Sequence, residues 1–290
     1  MQFICLACLL YLSQSSQLHI PVRAVHTLAP KAEVDVVLDI TYLESTKADP
    51  VKHKLDLYLP PGRKDFPTLL FIHGGGWSHG DKKFWFDLYG RLGKSFAGEG
   101  VGVAVVNYRL APGSKHPDQA TDVAQAIAWV NKNISKYGGK PDQLYLAGHS
   151  AGGHLVALVS SNQQFLKDAG ASPSAIKGVI PISGVYDVSP NELLFSMVFG
   201  KEPAVRQEAS PITHVKPGLP PFLIVHGDHE LPHCDGPCAS RFHTKLKENQ
   251  NICRLLPIAN RDHMSIIARI IDTSDPGHVA MISFIKTAKP

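Results

Sequence analysis

Gly148-His149-Ser150-Ala151-Gly152 carries the most specific chemical signal in this 290-residue chain. It fits G-x-S-x-G, and it falls directly after a short apolar run, residues 144–147, and directly before a helical pattern. A serine on such a tight strand-to-helix turn is strained and projects its hydroxyl alone at the carboxyl edge of a sheet. The flanking glycines are needed because a Cβ there collides with neighbouring backbone. Serine hydroxyl is a poor nucleophile at neutral pH. Acyl transfer at Ser150 therefore needs a base, and its tetrahedral intermediate needs donors aimed at the oxyanion. His73-Gly74-Gly75-Gly76-Trp77 ends an earlier apolar run, where glycines let backbone N–H groups approach a ligand unobstructed. The amides of Gly75, Gly76 and Ala151 are the expected oxyanion donors, and Trp77 is the candidate for lining the acyl pocket.

The base belongs late in the chain, after the last strand. Position selects His263, in Arg261-Asp262-His263-Met264, from 15 histidines: His73 belongs to the glycine loop, His154 lies one helical turn beyond Ser150, and His278 falls inside the last helix. An acid must hold the other imidazole nitrogen, fixing the tautomer and stabilising the imidazolium. It is expected in the loop His226-Gly227-Asp228-His229-Glu230. Glu230 is preferred because the chain has room to turn back toward the base within three residues of Gly227, with Asp228 as the alternative; Asp187 reads as a loop cap.

Other residue groups read differently. His226, His229, His233, Cys234, Cys238 and His243 mix zinc-type ligands, but they lack paired C-x₂-C spacing or an H-E-x-x-H helix, so no metal and no cofactor is expected. Cys234, Cys238 and Cys253 allow one bridge or three free thiols. Trp85 and Trp129 read as packing residues, while Asp81, Tyr108 and Arg109 read as loop braces.

These residues need a scaffold that gathers distant segments at one edge. Residues 34–42 and 54–59 alternate with period two, as an edge hairpin does. Residues 69–72, 101–106, 144–147, 179–182 and 222–225 are unbroken apolar runs, which suit parallel strands buried on both faces, and a further strand is expected over residues 252–256. Helical spacing appears over residues 120–134, after Ala151, over about 240–248 and over about 278–285. The alternation predicts one α/β domain over residues 17–290, a doubly wound, mostly parallel sheet with helices on both faces. A small insertion, residues 187–218, follows the sixth strand.

Composition agrees with a globular chain: 44% hydrophobic and 19% charged residues. The net charge of +4 is scattered, which excludes a nucleic-acid footprint. The first apolar run, residues 3–12, is too short for a membrane span and reads as part of a signal peptide over residues 1–16. That reading makes the protein secreted or periplasmic; without the basic n-region, the alternative is cytoplasmic.

Together these landmarks resemble the α/β-hydrolase superfamily, and within it the hormone-sensitive-lipase-like carboxylesterases and the related feruloyl-esterase and isoprenylcysteine-methylesterase-like groups. Also shared are Gly80-Asp81-Lys82, Asn107-Tyr108-Arg109-Leu110-Ala111-Pro112 and Asp262-His263-Met264. The resemblance implies a triad of Ser150, His263 and an acid. In such families the acid is commonly an Asp three residues after a His-Gly pair, a position that Glu230 occupies here. It further implies a carboxylester hydrolase that forms an acyl-enzyme and acts on short-chain or exposed esters, small or polymer-borne. The alternatives are an aryl-formamidase-like amide hydrolase and a non-catalytic binding protein on the same fold. Only about 40 residues precede the glycine loop within the likeness, so no large N-terminal cap is expected and the site should be open.

Overall fold

The computed structural model describes residues 33–46, 48–190 and 192–287, so the expected signal peptide lies outside the described residues. The strands are β1 (Asp35–Thr41), β2 (Lys54–Leu59), β3 (Phe66–Ile72), β4 (Gly102–Val106), β5 (Gly139–His149), β6 (Ile176–Ile182), β7 (Phe222–His229) and β8 (Cys253–Asp262). They form one sheet in the order β1-β2-β4-β3-β5-β6-β7-β8. The β1–β2 and β2–β4 pairs are antiparallel and the rest parallel, as the change from alternating to unbroken apolar runs predicts.

Each run is unbroken because its alternate residues enter different cores. Leu70, Ile72, Leu144, Leu146 and Ile224 face one apolar cluster, whereas Leu69, Phe71, Tyr145, Ala147 and Val225 face the other. Helices seal both sides. The described helices are α1 (Phe84–Gly98), α2 (Asp118–Asn133), α3 (Ala151–Ser161), α4 (Gln164–Asp168), α5 (Leu193–Phe199), α6 (Pro203–Ala209), α7 (Gly236–Glu248), α8 (Ser265–Arg269) and α9 (Pro276–Thr287). The first cluster receives Val123 and Ile127 of α2, Leu155 of α3 and Phe242 of α7; the second receives Leu92 and Phe96 of α1, Ile267 of α8 and Phe284 of α9. Fully burying one such large side chain contributes about 1.5–3 kcal/mol.

Several boundaries differ from the sequence expectation. Helix α7 starts at Gly236, because Asp235 caps it, accepting the Cys238 N–H at 3.0 Å, and Pro237 suits its first turn. Strand β8 runs on to Asp262, pairing Ile258 with Gly227 and Asp262 with His229. Helix α1 is not among the expected helices; at its start Trp85, Phe86 and Asp87 have φ of 48°, 52° and 59°, so regular helix begins after them. Trp85 is thereby turned outward and 47% exposed rather than packed. Cys234, Cys238 and Cys253 are free thiols.

The adjacent strands β3 and β5 lead to β4 and β6 on opposite sides, so the connections leaving them diverge and open a crevice at their carboxyl ends. The loop after β3 is tied down from below. Lys82 Nζ reaches Asp56 at 2.7 Å and Asp39 at 2.6 Å, and the Lys82 N–H donates to Asn107 Oδ1 at 2.6 Å. Asn107 also donates to Asp81 Oδ2 at 2.8 Å. Arg109 grips the buried Asp122 through Nε and Nη2, and His53 Nε2 meets the same carboxylate at 3.0 Å.

Candidate active site

Strand β5 ends at His149, and Ser150 turns the chain into α3 with φ 56° and ψ −118°. That region is strained for any residue with a Cβ. The turn is over-determined: the Ser150 N–H donates to Ile182 O at 2.9 Å, and Ser150 O accepts the His154 N–H at 3.0 Å. The glycines on either side are dictated by contact. A Cβ on Gly152 would sit 2.1 Å from Ile72 O, and one on Gly148 would sit 2.4 Å from Gly152 C. Ala151 opens α3, so its N–H has no acceptor within the helix.

The loop after β3 lies against this turn. Gly75 has φ 116°, and a Cβ there would overlap His79 O at 2.2 Å, so the conformation requires glycine. Tyr108 stacks on His73 at 4.4 Å and donates its hydroxyl to His73 O at 3.2 Å, while the Gly74 N–H donates to Tyr89 Oη at 3.2 Å. These contacts fix the path of Gly75 and Gly76 past Ser150.

His263 follows β8 directly. Asp262 Oδ1 accepts the N–H groups of Met264 and Ser265, turning the chain, and His149 Nε2–H donates to His263 O at 2.8 Å. His263 Nδ1–H donates to Glu230 Oε2 at 2.6 Å. The other oxygen, Oε1, accepts from Ser183 Oγ at 2.5 Å and from the Gly227 N–H at 2.9 Å. Burial alone would raise the Glu230 carboxyl; the bonds from His263, Ser183 and Gly227 outweigh it and hold it below the ordinary value. Asp228 faces elsewhere, accepting the backbone N–H groups of Asn260 and Arg261, each at 2.9 Å. Asp187 caps its own loop at Ser189. Sequence reasoning did not single out Ser183 or the ring of His149.

Ser150, Gly75, Gly76, Trp77 and His263 all line one cavity of about 430 Å³. Its other walls are mostly apolar, among them Tyr89, Val185, Leu194, Phe195, Leu231 and Met264. The insertion thus does more than cover strand tips: α5 supplies Leu194 and Phe195, and a Cβ on Gly76 would lie 3.5 Å from Leu194. Cys234 also lines the cavity, its thiol beside the Ser150 hydroxyl and pushed up by burial. Among the described residues, no group of three or more His, Cys, Asp or Glu side chains converges in a way that could hold a metal ion.

Three buried imidazoles around the site are held neutral. Burial lowers His73 to about 4 and His149 and His154 to about 3. In the unfolded chain they protonate near about 6.5. Between these values the unfolded state takes up protons that the folded state does not, so stability falls as the pH drops below about 6.5. Urea midpoints measured from pH 7 to pH 4 should therefore decline steadily; a flat profile contradicts neutral burial.

The fold is shared with solved enzymes. A truncated carbohydrate esterase from gut microbiota superposes with TM-score 0.74 at 20% identity, covering 90% of this chain and 98% of that one. Esterase B from Lactobacillus rhamnosis superposes with TM-score 0.73 at 22% identity, covering 88% and 86%. Among curated relatives, the probable carboxylic ester hydrolase LipM of Mycobacterium tuberculosis is 32% identical over 212 residues, 66% of this chain and 47% of its own length. The isoprenylcysteine alpha-carbonyl methylesterase ICME of Arabidopsis thaliana is 33% identical over 211 residues, 64% of this chain and 48% of its own length. The chain thus spans about half the length of the curated relatives it matches. Residues 55–236, from β2 to the start of α7, match the BD-FAE family, and the chain belongs to that family on an α/β-hydrolase fold.

Proposed function

We propose that this chain hydrolyses carboxylic esters by acyl transfer through Ser150. One observation carries the reading: the Glu230–His263 hydrogen bond at the wall of the cavity that Ser150 also lines. With Nδ1–H engaged by the carboxylate, the neutral imidazole has its lone pair on Nε2, the form a general base needs. The relatives named as a carboxylic ester hydrolase and a methylesterase support the same reaction class.

In this mechanism Ser150 Oγ attacks the ester carbonyl carbon and its proton passes to His263 Nε2. The oxyanion is met by the amides of Gly75, Gly76 and Ala151. Collapse breaks the bond to the alkoxy oxygen, which leaves as the alcohol with the proton from His263. Water then repeats the sequence on the acyl-enzyme, releasing the acid and restoring Ser150. The apolar walls favour uncharged acyl groups.

Incubation with an alkyl p-nitrophenyl phosphonate tests the reading. One phosphonyl group per chain is expected on the peptide containing Ser150, with parallel loss of p-nitrophenyl acetate hydrolysis. Inactivation with the label on another residue, or no turnover of short p-nitrophenyl esters, overturns it.

A further inference from the structure

Trp77, in the loop after β3, is 1% exposed and has φ 57°. Its indole Nε1–H donates to His154 Nδ1 at 3.1 Å, and His154 Nε2–H donates in turn to Ala209 O, the last residue of α6, at 2.8 Å. His154 is fully buried on α3, one turn past Ser150. Phe199 and Phe195 of α5 pack on the indole edge-to-face, with centroids 5.0 and 6.0 Å away. A hydrogen-bond chain therefore links the glycine loop, the helix behind the nucleophile and the insertion, and it ends in a side chain that lines the cavity.

The proton route divides the cavity. His263 must protonate the leaving alcohol, so the alcohol lies beside His263 and Met264. The acyl group then lies toward the wall built by Trp77, Val185 and Phe195. Resting on the ester-hydrolase reading above, we propose that Trp77 closes the acyl end of the cavity and that His154 is the positioning residue that sets how long an acyl group fits. His154 is not a spare base: one ring nitrogen holds Trp77, the other holds Ala209. Burial also keeps it neutral, lowered to about 3, so both bonds persist across the working pH range.

Two substitutions separate positioning from mere filling. His154→Phe keeps an aromatic ring but offers the indole no acceptor, whereas His154→Asn retains an acceptor at the place of Nδ1. In a panel of p-nitrophenyl acetate, butyrate, hexanoate and octanoate with kcat and KM measured separately, the wild type should favour the short esters. His154→Phe and Trp77→Ala should raise the octanoate-to-acetate ratio of kcat/KM by about tenfold or more, the scale of one to a few methylenes admitted to an apolar pocket. His154→Asn should keep the wild-type ratio. An unchanged ratio in His154→Phe, or an Asn variant that shifts as far as Phe, overturns the proposal.

A second readout needs no turnover. In a Trp85→Phe, Trp129→Phe background Trp77 is the one tryptophan. His154→Phe should then shift its emission and lower its anisotropy, and His154→Asn should not. Failure of the wild type to hydrolyse any ester removes the reaction class, while unchanged Trp77 fluorescence in His154→Phe removes the positioning role.

Discussion

Replacing Ser150 by alanine should lower the turnover of p-nitrophenyl acetate by about 10⁴-fold or more, the scale seen when a serine nucleophile is lost and only transition-state donors and binding remain. Stability should hardly change, because alanine keeps the Cβ and with it the strain of φ 56°. Ser150→Gly is the informative partner. Non-glycine residues in such regions store about 1–3 kcal/mol, while glycine costs about 0.4–1 kcal/mol through the freer unfolded chain. The net expectation is a gain of about 1 kcal/mol in denaturant unfolding together with the same loss of activity. A protein that stores strain at one side chain and is stabilised by removing it has been shaped there by something other than folding. Retention of most activity in Ser150→Ala would remove the nucleophile from the mechanism, and an equal loss of stability in both variants would remove the strain.

The sheet was legible in the sequence because burial on both faces leaves an unmistakable trace: Leu69, Leu70, Phe71 and Ile72 are all apolar, yet they serve two separate cores. The Ser150 turn was legible because contact dictates its glycines. What escaped follows from weaker local signals. The far end of β8 carries Asn260, Arg261 and Asp262, polar residues that read as loop; the strand continues because the Asp228 side chain holds the backbone of Asn260 and Arg261 across a register shift, beyond which Asp262 pairs with His229. Helix α1 escaped as a whole, and its start carries three left-handed residues with exposed aromatic side chains at Trp85 and Phe86. His149 occupies the variable position of its motif, and its bond to His263 O joins residues 114 positions apart, which no local pattern encodes. Ser183 follows an apolar strand with nothing in its neighbours to mark it, although φ 48° and the bond to Glu230 single it out in three dimensions.

The acid is where sequence left two candidates, and substitution should part them sharply. Glu230→Ala should cut kcat by about 10³- to 10⁴-fold, since loss of the acid frees the imidazole to take the wrong tautomer. Asp228→Ala should leave kcat within about tenfold, far below the loss of a group that acts directly on the imidazole. It should instead lower stability, because the tip of β8 loses two backbone anchors. The longer glutamate reaches His263 while its second oxygen is gripped by Ser183 and Gly227, so Glu230→Asp cannot keep all three bonds and should fall between wild type and alanine. Those donors also set the response to acid. A carboxyl lowered in the folded state contributes stability that is complete above its unfolded value of about 4.3 and is lost as the pH falls through the folded value. Ser183→Ala removes one donor, so the folded value rises toward the ordinary range, the contribution shrinks and its loss is complete at a higher pH. Glu230→Gln removes this contribution altogether. Unfolding profiles below pH 5 should therefore separate wild type, Ser183→Ala and Glu230→Gln in that order, and a kcat loss confined to Asp228→Ala would transfer the acid's role to the other carboxylate.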